Sequence, residues 1–231
     1  MKYKVVIPAA GSGKRMGAKM NKLFIPLNNI PIIIHTLKVF EDDPWCEGII
    51  LVVNQHDQQS IEQLVDHYQI RKVQAFIPGG QERQNSVYAG LKAINDNDDS
   101  IVLIHDGARP FLQQSSIHEL VLEANKVGGA ILATPVKDTI KRAKNEYVES
   151  TIERSLLWSV QTPQAFRLAD IKLAHEDALK KQFIGTDDAS LLENIGRRVK
   201  VVNGTYYNIK ITTPEDLLFA EAILAKMEKQ T

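Results

Sequence analysis

The feature that most restricts the fold of this chain is a series of short apolar runs, each closed by glycine or polar residues and followed by a helix-patterned stretch. Gly48-Ile49-Ile50-Leu51-Val52-Val53-Asn54 is continuously branched and apolar, as a strand buried on both faces requires, and Ile101–Ile104 repeats the pattern. Tyr3–Val6, Val73–Ile77, Gly129–Val136 and Val199–Val202 read as further strands, with Tyr207–Ile211 as a last one. Between them, helical spacing predicts helices over Ile30–Phe40, Gln58–Tyr68, Gln84–Ile94, Ser116–Val127 and Leu168–Lys180. Asp187 is placed to N-cap another helix. Thr213-Pro214-Glu215-Asp216 opens a closing helix with a buried stripe of Leu217, Ala220, Leu224 and Met227. Strands alternating with helices imply an α/β fold, a mostly parallel, doubly wound sheet flanked by helices, here spanning residues 1–231 as a single domain.

Polar and glycine residues gather just after three of these strands, at Ala9–Gly13, Gly79–Arg83 and His105–Arg109. In an open α/β sheet ligands bind beyond the carboxyl ends of the strands, so three loops distant in sequence can share one crevice. The first loop, Ile7-Pro8-Ala9-Ala10-Gly11-Ser12-Gly13, brings bare backbone N–H groups to a strand end, and Lys14, Arg15, Lys19 and Lys22 follow it. Small residues and then fixed positive charge suit a nucleotide triphosphate. The plainer alternative is a glycine turn with surface lysines. A Walker A loop is excluded because Gly13-Lys14 is followed by Arg15, leaving no hydroxyl to hold magnesium. A dinucleotide fingerprint is excluded because the third glycine, Gly17, comes one residue late.

Net charge decides against one class of partner. Lys and Arg number 28, as do Asp and Glu, so no whole-molecule field draws the chain to nucleic acid or anionic membrane. Cys46 is the only cysteine, which excludes an internal disulfide and fits a reducing compartment. Together with the lack of a membrane-length apolar run and of a charged-then-apolar leader, this gives the expectation of a soluble, cytoplasmic protein.

The stretch at 137–157 behaves differently. Thr139–Arg142 and Tyr147–Ile152 flank the turn-prone Lys144-Asn145 and predict a hairpin with few large apolar side chains. A lone two-stranded hairpin is marginal in water, so it either folds back on its own chain or crosses to a second copy as an exchanged arm.

In order along the chain stand Pro8-Ala9-Ala10-Gly11-x-Gly13-x-Arg15-Met16, Lys22, Gly79-Gly80-x-Glu82-Arg83-x-x-Ser86, His105-Asp106-x-Ala108-Arg109-Pro110, Thr162-Pro163-Gln164, Thr186-Asp187-Asp188-Ala189-Ser190 and Asn208-Ile209-Lys210-Ile211-Thr212. This set resembles the sugar-alcohol phosphate cytidylyltransferases, within them the 2-C-methyl-D-erythritol 4-phosphate group, over essentially the whole chain. The first block alone is shared by many nucleotidyltransferases.

The resemblance implies a Rossmann-like nucleotidyltransferase sheet and transfer of a cytidylyl group from CTP to a polyol phosphate, with magnesium and release of pyrophosphate. It implies Arg15 and Lys22 as the catalytic cations that stabilise charge in the transition state. Ala9, Ala10, Gly11, Gly13 and Gly107 are implied as backbone contacts to the nucleotide, with Gly80 and Ser86 reading cytosine. Arg154, Thr162, Thr186 and Lys210 match the family's holders of the acceptor phosphate, and Arg109 joins them as a positioning residue. Asp106 is implied at the ribose, the acceptor hydroxyls or Mg2+, and these alternatives stay open. His105 is expected to be structural, because an ionised phosphate nucleophile needs no general base. The family's arm reaches into a partner, which implies a homodimer through exchanged hairpins. Two departures stand out: Asn21 and Leu23 flank Lys22 where the family commonly has proline and glutamine, and Gly107 replaces a frequent alanine. Ribitol 5-phosphate as acceptor, or a nucleotide-binding module without turnover, are the competing functional readings.

Overall fold

The computed structural model describes residues 1–11, 21–94 and 100–229. Strand β1 (Tyr3–Pro8) is followed by a two-residue pair, β2 (Pro26–Leu27) and β3 (Ile30–Pro31), and by helix α1 (Ile32–Glu41). Then come β4 (Cys46–Val53), α2 (Gln58–His67), β5 (Val73–Pro78), α3 (Arg83–Lys92), β6 (Ile101–Ile104), α4 (Gln114–Val127) and β7 (Gly129–Pro135). The second half runs β8 (Lys141–Lys144), β9 (Tyr147–Thr151), β10 (Trp158–Arg167), α5 (Leu168–Lys181), α6 (Asp188–Asn194), β11 (Lys200–Asn203) and α7 (Pro214–Glu228).

Seven strands form the central sheet in the order β5-β4-β1-β6-β10-β7-β11. β1 pairs parallel with β4 and β6, β4 with β5, and β7 with β11, while β10 pairs antiparallel with both β6 and β7. The sheet is therefore mostly parallel, and the chain starts in its middle. It winds outward through β4 to β5 and then returns to β6 on the other side of β1. That reversal is the topological switch point at which α/β sheets leave a crevice.

Alternation along each central strand divides the core in two. Val5, Ile7, Ile49, Leu51 and Leu103 point to one face, against Ile33, Leu37 and Phe40 of α1 and Ile117 and Leu120 of α4. Val6, Ile50, Val52, Val102 and Ile104 point to the other, against Val87 and Leu91 of α3 and Leu168 and Ile171 of α5. Both faces are dry, which is why these strands carry no polar alternation. Gly90 lets α3 press onto the sheet: a Cβ there would sit 2.5 Å from Val6 Cγ1 and 2.8 Å from Val52 Cγ2.

The structure differs from the sequence reading in five places. The segment Trp158–Gln164, for which the pattern suggests no element, lies within β10, a strand in the middle of the sheet that is exposed at Trp158–Val160 and buried from Gln161 to Phe166. Its polar residues Gln161, Thr162 and Gln164 conceal it, because each is buried and bonded rather than solvated. Tyr207–Ile211 is not a strand. Local turns, Asn208 N to Thr205 O and Ile209 N to Tyr207 O, replace a ladder there, and Ile211 N donates to Ala108 O at 2.9 Å. The helix expected from Ile30 begins at Ile32, because Ile30–Pro31 pairs with Pro26–Leu27 across Asn28 and Asn29, whose φ angles are 50° and 61°. The hairpin turn falls on Asn145 and Glu146, both with positive φ, one residue later than expected. On α7, only Ala220 of the expected stripe is fully buried; Leu217 and Leu224 are half-buried and Met227 is exposed.

Candidate active site

The crevice forms where β1, β5 and β6 end, and each strand contributes one more rung before its loop departs. Ala9 N donates to Val52 O at 2.7 Å, Gly79 N to Val53 O at 2.9 Å, and His105 N to Val6 O at 3.0 Å. The three loops and residues from the 204–212 segment enclose a cavity of about 360 Å³. Its wall includes Ala9, Ala10, Gly11 and Lys22 from the first loop, Gly80 from the second, Ser86 from the first turn of α3, Asp106 and Gly107 from the third loop, and Lys210.

The first loop is closed at its base by Asn21. This buried side chain accepts from Leu23 N at 3.1 Å, capping the short turn Lys22–Phe24, and donates to Ala9 O at 3.2 Å and Asp57 Oδ2 at 3.0 Å. The two described ends of the loop are thus stapled together, and Lys22 is held on the cavity wall with Nζ donating to Ile211 O at 2.8 Å. The departure from the family pattern at Asn21 is a structural clasp. Gly13 and Arg15 lie outside the described residues.

The second loop meets the first closely: a Cβ on Gly79 would sit 2.5 Å from that of Ala10, so glycine is needed for the approach. Gly80 N donates to Ser86 Oγ at 3.0 Å, and Ser86 Oγ donates to Glu82 O at 3.2 Å. Glu82 and Asn85 form a reciprocal capping box at the start of α3.

The third loop is supported from below by β10. Asp106 N donates to Thr162 Oγ1 at 3.0 Å, and the same hydroxyl lies 3.2 Å from His105 Nδ1, while His105 Nε2 lies 3.1 Å from Arg109 O. Both ring nitrogens are engaged, and burial pushes the His105 pKa down to about 4, so the ring is neutral at neutral pH. Arg109 Nη1 donates to Asn208 O at 2.7 Å, and Asn208 Nδ2 donates to Thr162 O at 2.9 Å. These bonds hold the irregular segment that carries Lys210.

Electrostatics converge on Asp106. Its carboxylate lies 2.7 Å from Lys210 Nζ, 3.5 Å from Arg83 Nε and 3.8 Å from Arg109 Nε. Burial opposes its charge, but Lys210 first and then Arg83 overcome this and hold the carboxyl well below the usual carboxylate range. Lys210, Arg83 and Arg109 thus surround one buried carboxylate, and Lys22 lies on the same crevice wall. Such a site favours a polyanion over a neutral ligand.

The remaining expected residues lie around this cavity rather than on its wall. Arg109 and Thr162 reach it through Asp106 and through Asn208, in the segment that carries Lys210. Thr186 lines an adjoining cavity of about 80 Å³ shared with Arg83 and Asp188. Arg154 is exposed at the foot of the hairpin, bonded to Lys137 O, and lines neither cavity. Arg83, Asn21 and Asp188 are the residues whose part in the site the sequence reading missed. Arg83 and Asp188 sit inside quoted motifs, so motif membership was the signal available for them.

Fold and crevice together define a Rossmann-like α/β protein of the nucleotidyltransferase class. Residues 3–226 match the sequence profile described as 2-C-methyl-D-erythritol 4-phosphate cytidylyltransferase. The protein of that name from Halalkalibacterium halodurans is 56% identical over 230 residues, covering 100% of both chains. Its counterpart from Geobacillus thermodenitrificans is 59% identical over 225 residues, covering 97% of this chain and 98% of the other. The crystal structure of 4-diphosphocytidyl-2C-methyl-D-erythritol synthase from Anaerococcus prevotii superposes with a TM-score of 0.85 at 35% identity, covering 97% of this chain and 96% of that one. The chain belongs to the 2-C-methyl-D-erythritol 4-phosphate cytidylyltransferase family.

Proposed function

We propose that this protein transfers the cytidylyl group of CTP to 2-C-methyl-D-erythritol 4-phosphate, giving 4-diphosphocytidyl-2-C-methyl-D-erythritol and pyrophosphate, a step of non-mevalonate isoprenoid precursor synthesis. The observation that carries the reading is the crevice at the switch point, where Arg83 and Lys210 stand around Asp106 and Lys22 lines the same wall beside the glycine loop.

In the proposed reaction a phosphate oxygen of the acceptor attacks the α-phosphorus of CTP. The new P–O bond forms as the bond from the α-phosphorus to the bridging oxygen breaks, and pyrophosphate leaves with that electron pair. No proton has to move from an ionised nucleophile, so the protein's task is alignment and charge stabilisation. Lys22 and Arg15 stabilise the charge growing on the α-phosphate and the leaving group. Ala9, Ala10, Gly11, Gly13 and Gly107 contact the nucleotide through backbone, and Gly80 and Ser86 read the base. Lys210, Thr186 and Arg154 hold the acceptor phosphate, with Arg109, Thr162 and Asp106 fixing their surroundings.

Magnesium fits this donor set in one way. Among the described residues no group of three or more His, Cys, Asp or Glu could hold a metal, and Asp106 is the buried carboxylate on the crevice wall. Mg2+ characteristically takes one or two carboxylates, substrate phosphate oxygens and water. Asp106 and substrate phosphate oxygens would hold it, and its charge would neutralise part of the phosphate repulsion.

The hairpin supports a homodimer with exchanged arms. β8 and β9 form their own two-stranded sheet, every residue of it exposed, with Tyr147 at 79% and Val148 at 63% of full accessibility. So exposed a ladder needs a cover, and a second copy supplies one while delivering Arg154 to its acceptor site. The chain then works as one nucleotidyltransferase domain with an arm at 137–157. Among the described residues no helix is long and apolar enough to cross a membrane, and the lone cysteine is buried and free, which supports a cytoplasmic place of work.

The test supplies CTP and Mg2+ with either 2-C-methyl-D-erythritol 4-phosphate or ribitol 5-phosphate and follows pyrophosphate release. Preferred turnover of the former is expected. Preference for ribitol 5-phosphate, or CTP binding with no turnover on either, overturns the proposal.

A further inference from the structure

Behind the crevice lies a second buried carboxylate to which the transfer reaction assigns no part. Asp188 opens α6, and its Oδ2 lies 2.7 Å from Arg83 Nη1. On its other side His175 Nε2 lies 3.8 Å from Oδ1, with the ring stacked on Tyr88 at a centroid distance of 5.4 Å. Burial pushes the His175 pKa down to about 4, with Arg83 adding to the effect, so the ring brings no charge at neutral pH. Burial also pushes Asp188 up, and Arg83 is the main opposing influence.

The start of α6 is pinned from three directions. Asp187 Oδ1 accepts from Ser190 N at 3.0 Å as the N-cap. Gln164 of β10 donates to Asp187 Oδ2 at 2.7 Å and accepts from Ala189 N at 3.0 Å. Gln84 of α3 accepts from Gly185 N at 3.0 Å and donates to Phe183 O at 3.1 Å. Asp188 is therefore a fixed point, whereas the Arg83 side chain is 35% exposed and reaches from it to the crevice. A guanidinium is planar with donors in fixed directions, so anchoring Nη1 on Asp188 sets where Nε points. Nε lies 3.5 Å from Asp106 Oδ1, and Asp106 Oδ2 holds Lys210 at 2.7 Å.

We propose that Asp188 is a positioning residue: by anchoring Arg83 it fixes the Asp106 carboxylate and, through it, the Lys210 ammonium, and so governs capture of the acceptor phosphate rather than of CTP. This rests on the crevice being the cytidylyl-transfer site. Without the Asp188 charge, Arg83 is left with Asp106 as its nearest anion and competes with Lys210 for it.

The test compares wild type, Asp188→Asn, Arg83→Lys and the double variant, each checked for folding by thermal melting. Asp188→Asn keeps the size of the side chain and removes its charge. Arg83→Lys keeps the charge but cannot bridge two carboxylates, and on its partly exposed position it carries the test if Asp188→Asn does not fold. Each single variant is expected to lose about tenfold in kcat/KM for the polyol phosphate, with CTP affinity within about twofold of wild type. The double variant is expected to be no worse than the worse single one, because both changes break one relay. Losses that multiply in the double variant, that appear equally in CTP affinity, or that stay under twofold overturn the positioning role. A wild type that releases no pyrophosphate with either polyol phosphate overturns the reaction and this role together. An active wild type with indifferent variants overturns this role alone.

Discussion

Lys210 Nζ lies 2.7 Å from Asp106 Oδ2, joining an irregular segment near the C-terminus to the loop that follows β6. Neither residue belongs to a helix or strand. Their relative position depends on Ile211 N bonding Ala108 O and on Arg109 bonding Asn208 O. The pair is a product of packing, and its charge state is a measurable property of the fold.

Asp106→Asn should therefore destabilise the protein in a pH-dependent way. The folded-state pKa of Asp106 lies below its unfolded value, so its contribution is complete above the unfolded value and fades as pH falls towards the folded one. Removing it at neutral pH leaves cations uncompensated and should cost on the order of 3 kcal/mol. Urea midpoints of wild type and variant should begin to converge as pH falls below about 4 and go on converging as it is lowered further. A gap that stays constant with pH would count against the pairing.

Two buried imidazoles should act in a different pH window. Burial pushes His105 and His175 each down to about 4. The unfolded chain binds their protons first, near its ordinary pKa of about 6.5, so stability should fall as pH drops from about 6.5 to 4 and be unaffected above that. The loss at the acid end is roughly 3 kcal/mol per ring. His175→Phe, which keeps a flat ring against Tyr88, should make the fall visibly shallower. An unchanged slope in chemical-denaturation series would refute the assignment.

The proposed sharing of active sites between two copies makes a sharper prediction. Lys22→Gln should lower turnover about a hundred- to a thousandfold, as for loss of a donor to developing charge. Arg154→Gln should raise KM for the acceptor without disturbing CTP binding. When the two variants are co-expressed at equal levels, dimers that exchange arms should include one intact site in each mixed pair, restoring about a quarter of wild-type activity. A mixture no more active than the average of its parents would show that each chain uses its own Arg154.

Gly90 offers a test of how α3 is seated on the sheet. Gly90→Ala puts a methyl against Val6 and Val52, both buried, at distances under 3 Å. Overpacking of this kind costs about 1–3 kcal/mol, more than the ~1 kcal/mol that alanine gains in a helix. Displacing α3 also moves Ser86, proposed to read the base, so KM for CTP should rise together with the loss of stability. A variant as stable as wild type would mean that α3 can shift without strain.

The sequence by itself determined most element positions and the places where loops leave the strands, because burial periodicity is a local property. Gly48–Asn54 and Ile101–Ile104 announce double-sided burial residue by residue, and Thr213-Pro214 announces a helix start, which the structure bears out with a capping box. Glycines followed by cations likewise mark the first loop without reference to anything distant. Only the tertiary structure decided that the polar stretch around Thr162 runs antiparallel through the middle of the sheet, and that Tyr207–Ile211 hangs from Ala108 rather than extending a ladder. It also decided that Asn21 clasps Ala9 and that Arg83 bridges Asp106 and Asp188. Those features rest on buried polar side chains meeting partners remote in sequence. A polar residue looks the same in a string whether water or another side chain will satisfy it, and only the folded geometry selects between them.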